Sequence, residues 1–351
     1  MRAAVYYGLN DLKVEDVPDP SPGPGEVLVR VAYSGICGTD LSLYFHGPVG
    51  LPTEPHPLTG AHLPQILGHE FGGWVDEVGE GVEDIEIGTL VAVNPIHGCG
   101  QCTQCLLGNR NLCIIAAFHG VAAHGGGLSE RTVVKRSMVH PLPAGMGPRQ
   151  AALIEPMAVS YRAVRRAEVQ PGDTVLILGA GPIGLGSYFA VKSAGGVPIV
   201  SEPSPVRRQI LANLGATNIL DPASDDVANA VHDLTNGAGA AATVDAVANP
   251  STFSTALSST ARGGTVVLVG IGHEPLPLDP IALFLSEISV RASNAYADDF
   301  QATIVEMASG AYPLEGWVST IALEDIIEQG FDVLRQGDAM KILVDVNADG
   351  A

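Results

Sequence analysis

Four cysteines that lie close together in the chain have the spacing of a metal-binding loop. They form a C-x2-C-x2-C-x7-C pattern at Cys99, Cys102, Cys105 and Cys113. Four thiolates on one short loop are typical of a closed, tetrahedral structural zinc site. Iron–sulfur clusters are held by similar spacing, but this loop lacks a proline after its last cysteine and the chain has no second cysteine set. We therefore predict a structural zinc ion here.

The fifth cysteine belongs to a second candidate metal site. Cys37 follows a predicted strand, and His69 lies in a Gly-His-Glu-Phe stretch. Catalytic zinc sites take three protein ligands of these types and leave one position open. Two carboxylates could complete the set: Glu70, adjacent to His69, and Glu155, which lies in an apolar stretch where an unpaired carboxylate would be costly. The residues alone leave both alternatives open.

A third group of residues forms a glycine-rich turn between a strand and a helix. The apolar run Thr174–Leu178 predicts a strand buried on both faces, and a G-x-G-x-x-G sequence follows it. The residues of this turn that we assign to cofactor binding are Gly179, Gly181, Pro182, Ile183 and Gly184. The helix N-terminus offers free N–H groups to a pyrophosphate. Glu202 ends the next strand, where a carboxylate accepts the ribose hydroxyls of NAD and repels the 2′-phosphate of NADP.

The elements that must position these residues fall into two classes. Residues 1–154 contain short strands with alternating polarity, which predicts a barrel-like β domain. Residues 155–291 alternate strands with helices, which predicts a doubly wound parallel sheet of the Rossmann type. Residues 292–351 are predicted to pack back onto the first domain. They contain helical stretches at Asp298–Ser309 and Leu323–Gln336 and a strand at Lys341–Val346.

Composition and charge exclude several classes of partner. The net charge is −20, which argues against nucleic acid or an anionic membrane surface. The N-terminus lacks the apolar core of a signal peptide, and no apolar run is long enough to span a membrane. Five cysteines, an odd number, indicate reduced thiols or metal ligands rather than a disulfide framework. We expect a cytoplasmic protein.

On these motifs the chain resembles the zinc-containing medium-chain dehydrogenase/reductase family over essentially its whole length. The residues that carry the resemblance are Gly35–Asp40, Gly68-His69-Glu70, the four-cysteine loop, Glu155-Pro156 and the Gly179–Gly184 turn. Within the family the chain is most similar to the (R,R)-2,3-butanediol (acetoin) dehydrogenases, with polyol dehydrogenases close by. That narrower resemblance rests on Pro55–Gly60, Glu155–Val159 and Ser201–Ser204.

The resemblance implies a fold and a set of site residues. It implies a GroES-like β-barrel catalytic domain, a Rossmann domain, NAD in the cleft between them and two zinc ions per chain. Cys37, His69 and Glu155 would hold the catalytic zinc, with Glu70 as an alternative ligand or a base beside it. Thr39 would pass a proton toward solvent, and Asp40 would accept a hydrogen bond from His69. The residues expected to contact the cofactor beyond the glycine turn are Glu202, Arg207, Val269 and Ile271, although for Arg207 a solvated helix start is an equal alternative.

The implied activity is reversible oxidation of a secondary alcohol, by hydride transfer from a zinc alkoxide to the nicotinamide ring. The preferred substrate is 2,3-butanediol, which gives acetoin, with reduction of diacetyl as a related reaction. Two alternatives stand beside it: a sorbitol-like polyol or general secondary-alcohol dehydrogenase, and a non-catalytic sensor that binds nucleotide and zinc. We also expect a homodimer or homotetramer, because strands near Thr265–Ile271 and Ile288–Ala292 could pair across a two-fold axis.

Overall fold

The structure of the chain is a computed structural model that describes residues 1–48, 51 and 54–347. It divides into two compact units. The first contains Met1–Glu155, Phe300–Ala308 and the chain from Val318 onward, and the second contains Pro156–Asp299 and Ser309–Trp317. The predicted return of residues 292–351 to the first domain differs from this division, because residues 292–299 and 309–317 group with the second unit. None of the described helices is long and apolar enough to cross a membrane.

The N-terminal part of the first unit consists mainly of short strands. They are β1 (Arg2–Gly8), β2 (Asp11–Asp16), β3 (Glu26–Gly35), β4 (Gln65–Ile66), β5 (Glu70–Val78), β6 (Leu90–Val93), β7 (Ile96–His97), β8 (Ala117–Phe118), β9 (Arg131–Lys135) and β10 (Val139–Pro141). Helices α1 (Gly38–His46) and α2 (Thr103–Leu106) lie between them. Strand β3 shows why the pattern folds this way. Its alternating Val27, Val29 and Val31 are fully buried in the core of the unit.

Helix α3 (Pro148–Arg166) leads into the second unit, which is a parallel sheet with its helices. The strands are β11 (Thr174–Leu178), β12 (Val197–Ser201), β13 (Ile219–Leu220), β14 (Ala240–Asp245), β15 (Thr260–Leu268) and β16 (Ser289–Ala292). The helices are α4 (Pro182–Ser193), α5 (Pro205–Asn213), α6 (Val227–Leu234), α7 (Pro250–Ser259) and α8 (Pro280–Ser286). The sheet order β13-β12-β11-β14-β15-β16 reverses direction at β11 and β14, the point where such sheets bind ligands. The predicted Rossmann sheet is confirmed.

The last part of the chain completes the sheet of the first unit. It contains α9 (Asp299–Ala308), β17 (Val318–Ala322), α10 (Asp332–Gln336) and β18 (Lys341–Asp345). Strand β18 pairs antiparallel with β3, and β17 pairs parallel with β18. The resulting order is β10-β6-β5-β3-β18-β17, with β9 also paired to β3. The predicted GroES-like β architecture is confirmed.

One predicted helix is not continuous. The stretch Leu323–Gln336 begins with a 3-10 turn, continues as a π-helical segment over Ile326–Phe331 and ends as α10. Gly330 lies in the π-helical segment, and a Cβ there would lie only 2.7 Å from Ile36 Cδ1. Close packing thus favours glycine at a position where it weakens a regular helix by about 0.5–1 kcal/mol.

Candidate active site and metal centres

The four cysteines of the predicted structural site gather on the loop around α2. Their sulfur atoms lie within 4.8 Å of one another, and the sulfurs of Cys99 and Cys105 are 4.0 Å apart. A tetrahedral zinc ion with Zn–S bonds of about 2.3 Å holds its sulfurs about 3.8 Å apart, whereas a disulfide needs about 2.0 Å. No disulfide joins them. The donor set therefore fits a zinc ion.

Backbone N–H groups stabilise negative charge on these sulfurs. Cys102 N donates to Cys99 Sγ at 3.3 Å, and Cys99 N donates to Cys113 Sγ at 3.3 Å. Hydrogen bonds from the backbone, that of Cys105 foremost, lower the pKa of Cys102 to about 6, and backbone donors also lower the pKa of Cys99. Both shifts favour the thiolate, the form that binds metal, whereas burial raises the pKa of Cys105 to about 11.

Helix α1 begins at the second candidate metal site. Cys37 is its N-cap residue, and Asp40 Oδ2 accepts a hydrogen bond from Cys37 N at 2.9 Å. An acidic group in the first turn satisfies a free N–H and complements the helix dipole. Thr39 Oγ1 lies 3.7 Å from Cys37 Sγ. The capped turn therefore holds the Cys37 thiol and the Thr39 hydroxyl side by side.

Strand β5 supplies the partners of Cys37. The pairing of β5 with β3 places Glu70 opposite Gly35, two residues before Cys37. Donor atoms of Cys37, His69 and Glu70 lie within 4.8 Å of one another, and both His69 and Glu70 are buried. Of the two carboxylates left open by the sequence, Glu70 is the one that gathers with the thiol and the imidazole. Glu155 is buried on α3 but lies outside this 4.8 Å group, so its ligand role stays a prediction.

Negative charge is concentrated around His69. Burial by itself lowers the pKa of His69, but Cys37, Asp40 and Glu155 together outweigh burial and raise that pKa well above its ordinary value. His69 Nδ1 and Asp40 Oδ1 are 3.8 Å apart, too far for a hydrogen bond, and neither of these two atoms has another hydrogen-bond partner among the described residues. The predicted His69–Asp40 hydrogen bond is therefore not formed. A largely buried donor set with this charge fits a bound cation.

Two further residues of this site were missed by sequence reasoning. Lys341 is 1% exposed, and its Nζ donates to Ile36 O at 2.8 Å and to Glu70 Oε2. In the sequence it is the first residue of an apolar strand, where a lysine normally meets solvent. Only the pairing of β18 with β3 brings it to the metal site. The ring of Phe118, at the end of β8, is in a T-shaped arrangement with the His69 imidazole, with the ring centres 6.5 Å apart.

The glycine turn after β11 has the shape of a phosphate cradle. At Gly184 a Cβ would overlap Gly179 O, so the close approach of α4 to β11 requires glycine. At Gly181 a Cβ would meet only Arg207 Nη1, 3.9 Å away, so space is open in front of the helix N-terminus. Pro182 occupies the first turn of α4, where no N–H is needed. Free N–H groups beside open space fit the pyrophosphate of a dinucleotide.

Glu202 follows β12 and is 2% exposed. Its Oε2 accepts a hydrogen bond from Ala180 N at 2.6 Å, and its Oε1 accepts one from Ser204 N at 2.8 Å. The carboxylate thus ties the glycine turn to the start of α5. Each carboxylate oxygen has a second lone pair, so a ribose hydroxyl can still donate to Glu202.

The remaining predicted cofactor contacts have different surroundings. Arg207 Nη1 lies 4.0 Å from Glu202 Oε2, beside the glycine turn. Ile183 lies in the first turn of α4, where its carbonyl accepts hydrogen bonds from Ser160 and Ser187. Val269 is buried, whereas Ile271 is 80% exposed. Their roles toward adenine and nicotinamide stay predictions.

Comparison with known proteins matches both parts of this architecture. Residues 23–144 match the family described as alcohol dehydrogenase GroES-like domain, and residues 182–309 match the family described as zinc-binding dehydrogenase. The chain is 36% identical to (R,R)-butanediol dehydrogenase of Neisseria gonorrhoeae, over 99% of this chain and 100% of the relative. It is 33% identical to sorbitol dehydrogenase of Bacillus subtilis, over 88% of this chain and 86% of the relative.

Solved structures agree with the sequence comparison. The crystal structure of 2R,3R-butanediol dehydrogenase from Bacillus subtilis superposes with a TM-score of 0.92 at 36% identity and covers 98% of this chain and 99% of its own. A protein described as a short chain alcohol dehydrogenase from Escherichia coli CFT073, complexed with NADH, superposes with a TM-score of 0.88 at 28% identity and covers 98% and 99% of the two chains. With both metal-binding donor sets and the dinucleotide turn present, the chain belongs to the zinc-containing medium-chain dehydrogenase/reductase family.

Proposed function

We propose that this protein oxidises a secondary alcohol reversibly with zinc and NAD, and that its substrate is 2,3-butanediol, which it converts to acetoin. Reduction of diacetyl is the related reaction. The observation that carries the proposal is the group of Cys37, His69 and Glu70, three possible zinc donors next to the Thr39 hydroxyl, of which His69 and Glu70 are buried. The choice of a vicinal diol rests on full-length similarity to butanediol dehydrogenases.

The residues of the first unit would bind the substrate oxygen and remove its proton. Cys37, His69 and one of the carboxylates, Glu70 or Glu155, would hold the zinc ion, which supplies a Lewis acid for an alcohol oxygen. Thr39 would accept the hydroxyl proton and pass it toward solvent. Asp40 caps α1 and so fixes the thiol and hydroxyl in place. Phe118 lines the apolar side of the imidazole.

The residues of the second unit would bind the dinucleotide that accepts the hydride from the carbinol carbon. The pyrophosphate would lie in front of α4 beside Gly181, and the adenosine ribose would donate to Glu202. We propose NAD rather than NADP, because a 2′-phosphate would meet the Glu202 carboxylate. Arg207 would flank the adenine, and Val269 and Ile271 the nicotinamide.

A polyol such as sorbitol is the second candidate substrate, since sorbitol dehydrogenase of Bacillus subtilis is a relative over 88% of this chain. A non-catalytic sensor of nucleotide and zinc is a third hypothesis. The arrangement at Cys37 argues against the sensor, because a protein that only binds zinc has no need to keep an incomplete donor set next to a hydroxyl group.

An initial-rate assay with a metal count tests these alternatives. The purified chain is assayed with NAD on (R,R)-, meso- and (S,S)-2,3-butanediol and on sorbitol, and bound zinc is counted by elemental analysis. We expect two zinc ions per chain and the highest kcat/KM on (R,R)- or meso-butanediol. Better turnover of sorbitol would keep the chemistry and reject the diol. A single zinc ion without turnover of any alcohol would favour the sensor.

We also propose that the protein is a cytoplasmic homo-oligomer, a dimer or a tetramer. Strand β16 has β15 as its neighbour on one side, and its other side is a free edge among the described strands. Strand β15 is paired on both sides, so of the two stretches predicted to pair across a two-fold axis, only the one in β16 has a free edge. Five unbridged cysteines suit a reducing compartment.

A further inference from the structure

Lys341 is a buried cation for which the family motifs in this sequence assign no role. It is one of only four lysines in the chain, and its side chain is 2% exposed. A buried ammonium group is costly unless it is paired and hydrogen-bonded. Lys341 meets both conditions at the metal site, since Nζ donates to Ile36 O at 2.8 Å and pairs with Glu70 Oε2.

The backbone around this ion pair leaves space for its two side chains. Gly35 lies opposite Glu70 in β5 and opposite Leu343 in β18. A Cβ at Gly35 would overlap Glu70 Oε2 and would lie 3.0 Å from Lys341 Cε. The glycine thus leaves room for the ion pair between the three strands. The arrangement joins the last strand of the chain to the carboxylate that gathers with Cys37 and His69.

The charges around the zinc donors explain why such a cation is needed. Cys37, Glu70, Glu155 and Asp40 are four acidic groups near one histidine, and Glu70 and Asp40 are 2% and 0% exposed. A zinc ion supplies two positive charges, and Lys341 supplies a third. Without Lys341, Glu70 would be a buried anion that lacks this ion-pair partner.

We infer that Lys341 is a positioning residue that holds Glu70 by one oxygen and so keeps its carboxylate from closing the open position of a zinc ion held by Cys37, His69 and Glu155. The inference rests on the proposed zinc site and selects Glu155, rather than Glu70, as its carboxylate ligand. Removing the lysine charge should release Glu70 onto the metal. Replacing Lys341 by arginine keeps the charge and should preserve the open site in part.

The test compares Lys341→Met with Lys341→Arg, with the double variant Lys341→Met/Glu70→Gln and with Lys135→Met as a control. Lys135 is exposed on β9 in the same unit, so its variant removes the same charge away from the site. All variants are first checked for native thermal unfolding. The catalytic zinc is then exchanged for Co²⁺, whose visible absorption is intense in four-coordinate sites and weak when a further ligand binds.

We expect Lys341→Met to lose most of the visible cobalt absorption, and the double variant to regain it because the amide does not close the site. We also expect zinc to leave Lys341→Met more slowly than wild type in the presence of a chelator. If Lys341 only supported the site, zinc would instead leave Lys341→Met faster than wild type, since loss of a supporting partner weakens metal binding about 10–100-fold. Lys135→Met should match wild type in both measurements.

Two outcomes separate failure of this inference from failure of the proposed function. If wild type binds two metal ions but folded Lys341→Met has an unchanged cobalt spectrum and unchanged zinc release, the positioning role is refuted while the zinc site stands. If the double variant has the same spectrum as Lys341→Met, Glu70 is not the ligand that closes the site, and the inference is equally refuted. If wild type takes up no metal at Cys37, the proposed function fails first.

Discussion

Both carboxylate oxygens of Glu202 anchor the backbone around the cofactor site, because Ala180 N and Ser204 N donate hydrogen bonds to them. Two substitutions separate this anchoring role from charge discrimination. Glu202→Gln keeps an acceptor and removes the charge, so we expect the ratio of kcat/KM for NAD over NADP to fall by about tenfold, equivalent to about 1.4 kcal/mol. Glu202→Ala also frees both N–H groups, so it should in addition raise the KM for both cofactors.

The measurement is a set of initial rates with each cofactor at saturating alcohol. Arg208→Gln is a suitable comparison, because Arg208 donates to Glu202 O and Pro203 O without touching the carboxylate. A Glu202→Gln enzyme with the NAD preference of wild type would show that the carboxylate does not determine cofactor choice.

At the residue scale, the sequence predicted the site residues that lie close together in the chain, within one motif. The four cysteines, the glycine turn and the Cys37–Thr39 pair are local, so their spacing indicates their geometry. Lys341 could not be found this way, since its partner Ile36 lies 305 residues earlier. The hydrogen bond expected between Asp40 and His69 also failed, because the N-cap of α1 fixes Asp40 at 3.8 Å from the imidazole.

A buried histidine between strands β8 and β9 should make the stability of the protein depend on acidic pH. His119 follows β8, is 1% exposed, and its Nε2 lies 2.7 Å from Thr132 Oγ1 in β9. Burial, with smaller contributions from His97 and His124, lowers the pKa of His119 from 6.5 to about 3. The unfolded chain therefore takes up a proton at this residue near pH 6.5 while the folded chain does not. Its contribution to stability is complete above pH 6.5 and is lost as the pH falls toward 3.

We expect His119→Gln to flatten this dependence. Between pH 7.5 and pH 5 the loss of unfolding free energy should be smaller in the variant than in wild type by on the order of 2 kcal/mol, since each pKa unit corresponds to about 1.4 kcal/mol. Denaturant unfolding at both pH values, with equal zinc, measures the difference. The exposed His62 gives a control variant, His62→Gln, which should follow wild type. Equal slopes for His119→Gln and wild type would contradict the prediction.

At the scale of elements, periodicity predicted the strands and helices of the Rossmann sheet well, because each alternates within a short stretch of chain. The exact ends of the elements depend on caps that periodicity does not show. Helix α6 starts after Asp226, whose side chain accepts a hydrogen bond from Asn229 N at 3.1 Å. The π-helical segment before α10 was not predicted, and its Gly330 packs close to Ile36, which lies in a distant part of the sequence.

For the whole molecule, the proposed oligomer makes a prediction about the free edge of the Rossmann sheet. Helix α8 precedes β16 and exposes Ile281, Phe284 and Leu285, with Phe284 80% exposed. Exposed large apolar side chains on a helix that precedes a strand with a free edge are typical of a subunit interface. We expect Phe284→Glu to shift the protein toward monomer, as measured by sedimentation velocity at several concentrations.

The comparison variant is Ile87→Glu, which adds the same charge at an exposed apolar side chain of the first unit. It should leave the sedimentation of wild type unchanged. A monomeric wild type, or equal effects of the two substitutions, would remove the interface from this edge.

The long separation of β3 and β18 in the chain has a consequence for biogenesis. During translation β18 is made long after its partner β3, since Lys341 follows Ile36 by 305 residues. The second unit is nearly contiguous in the chain and can fold on the ribosome before β18 is made. The Lys341–Glu70 pair, whose members lie 271 residues apart, therefore forms late. A complete zinc site then has to wait for synthesis of β18, and a stop codon just before Lys341 would spoil a site whose zinc donors lie hundreds of residues upstream.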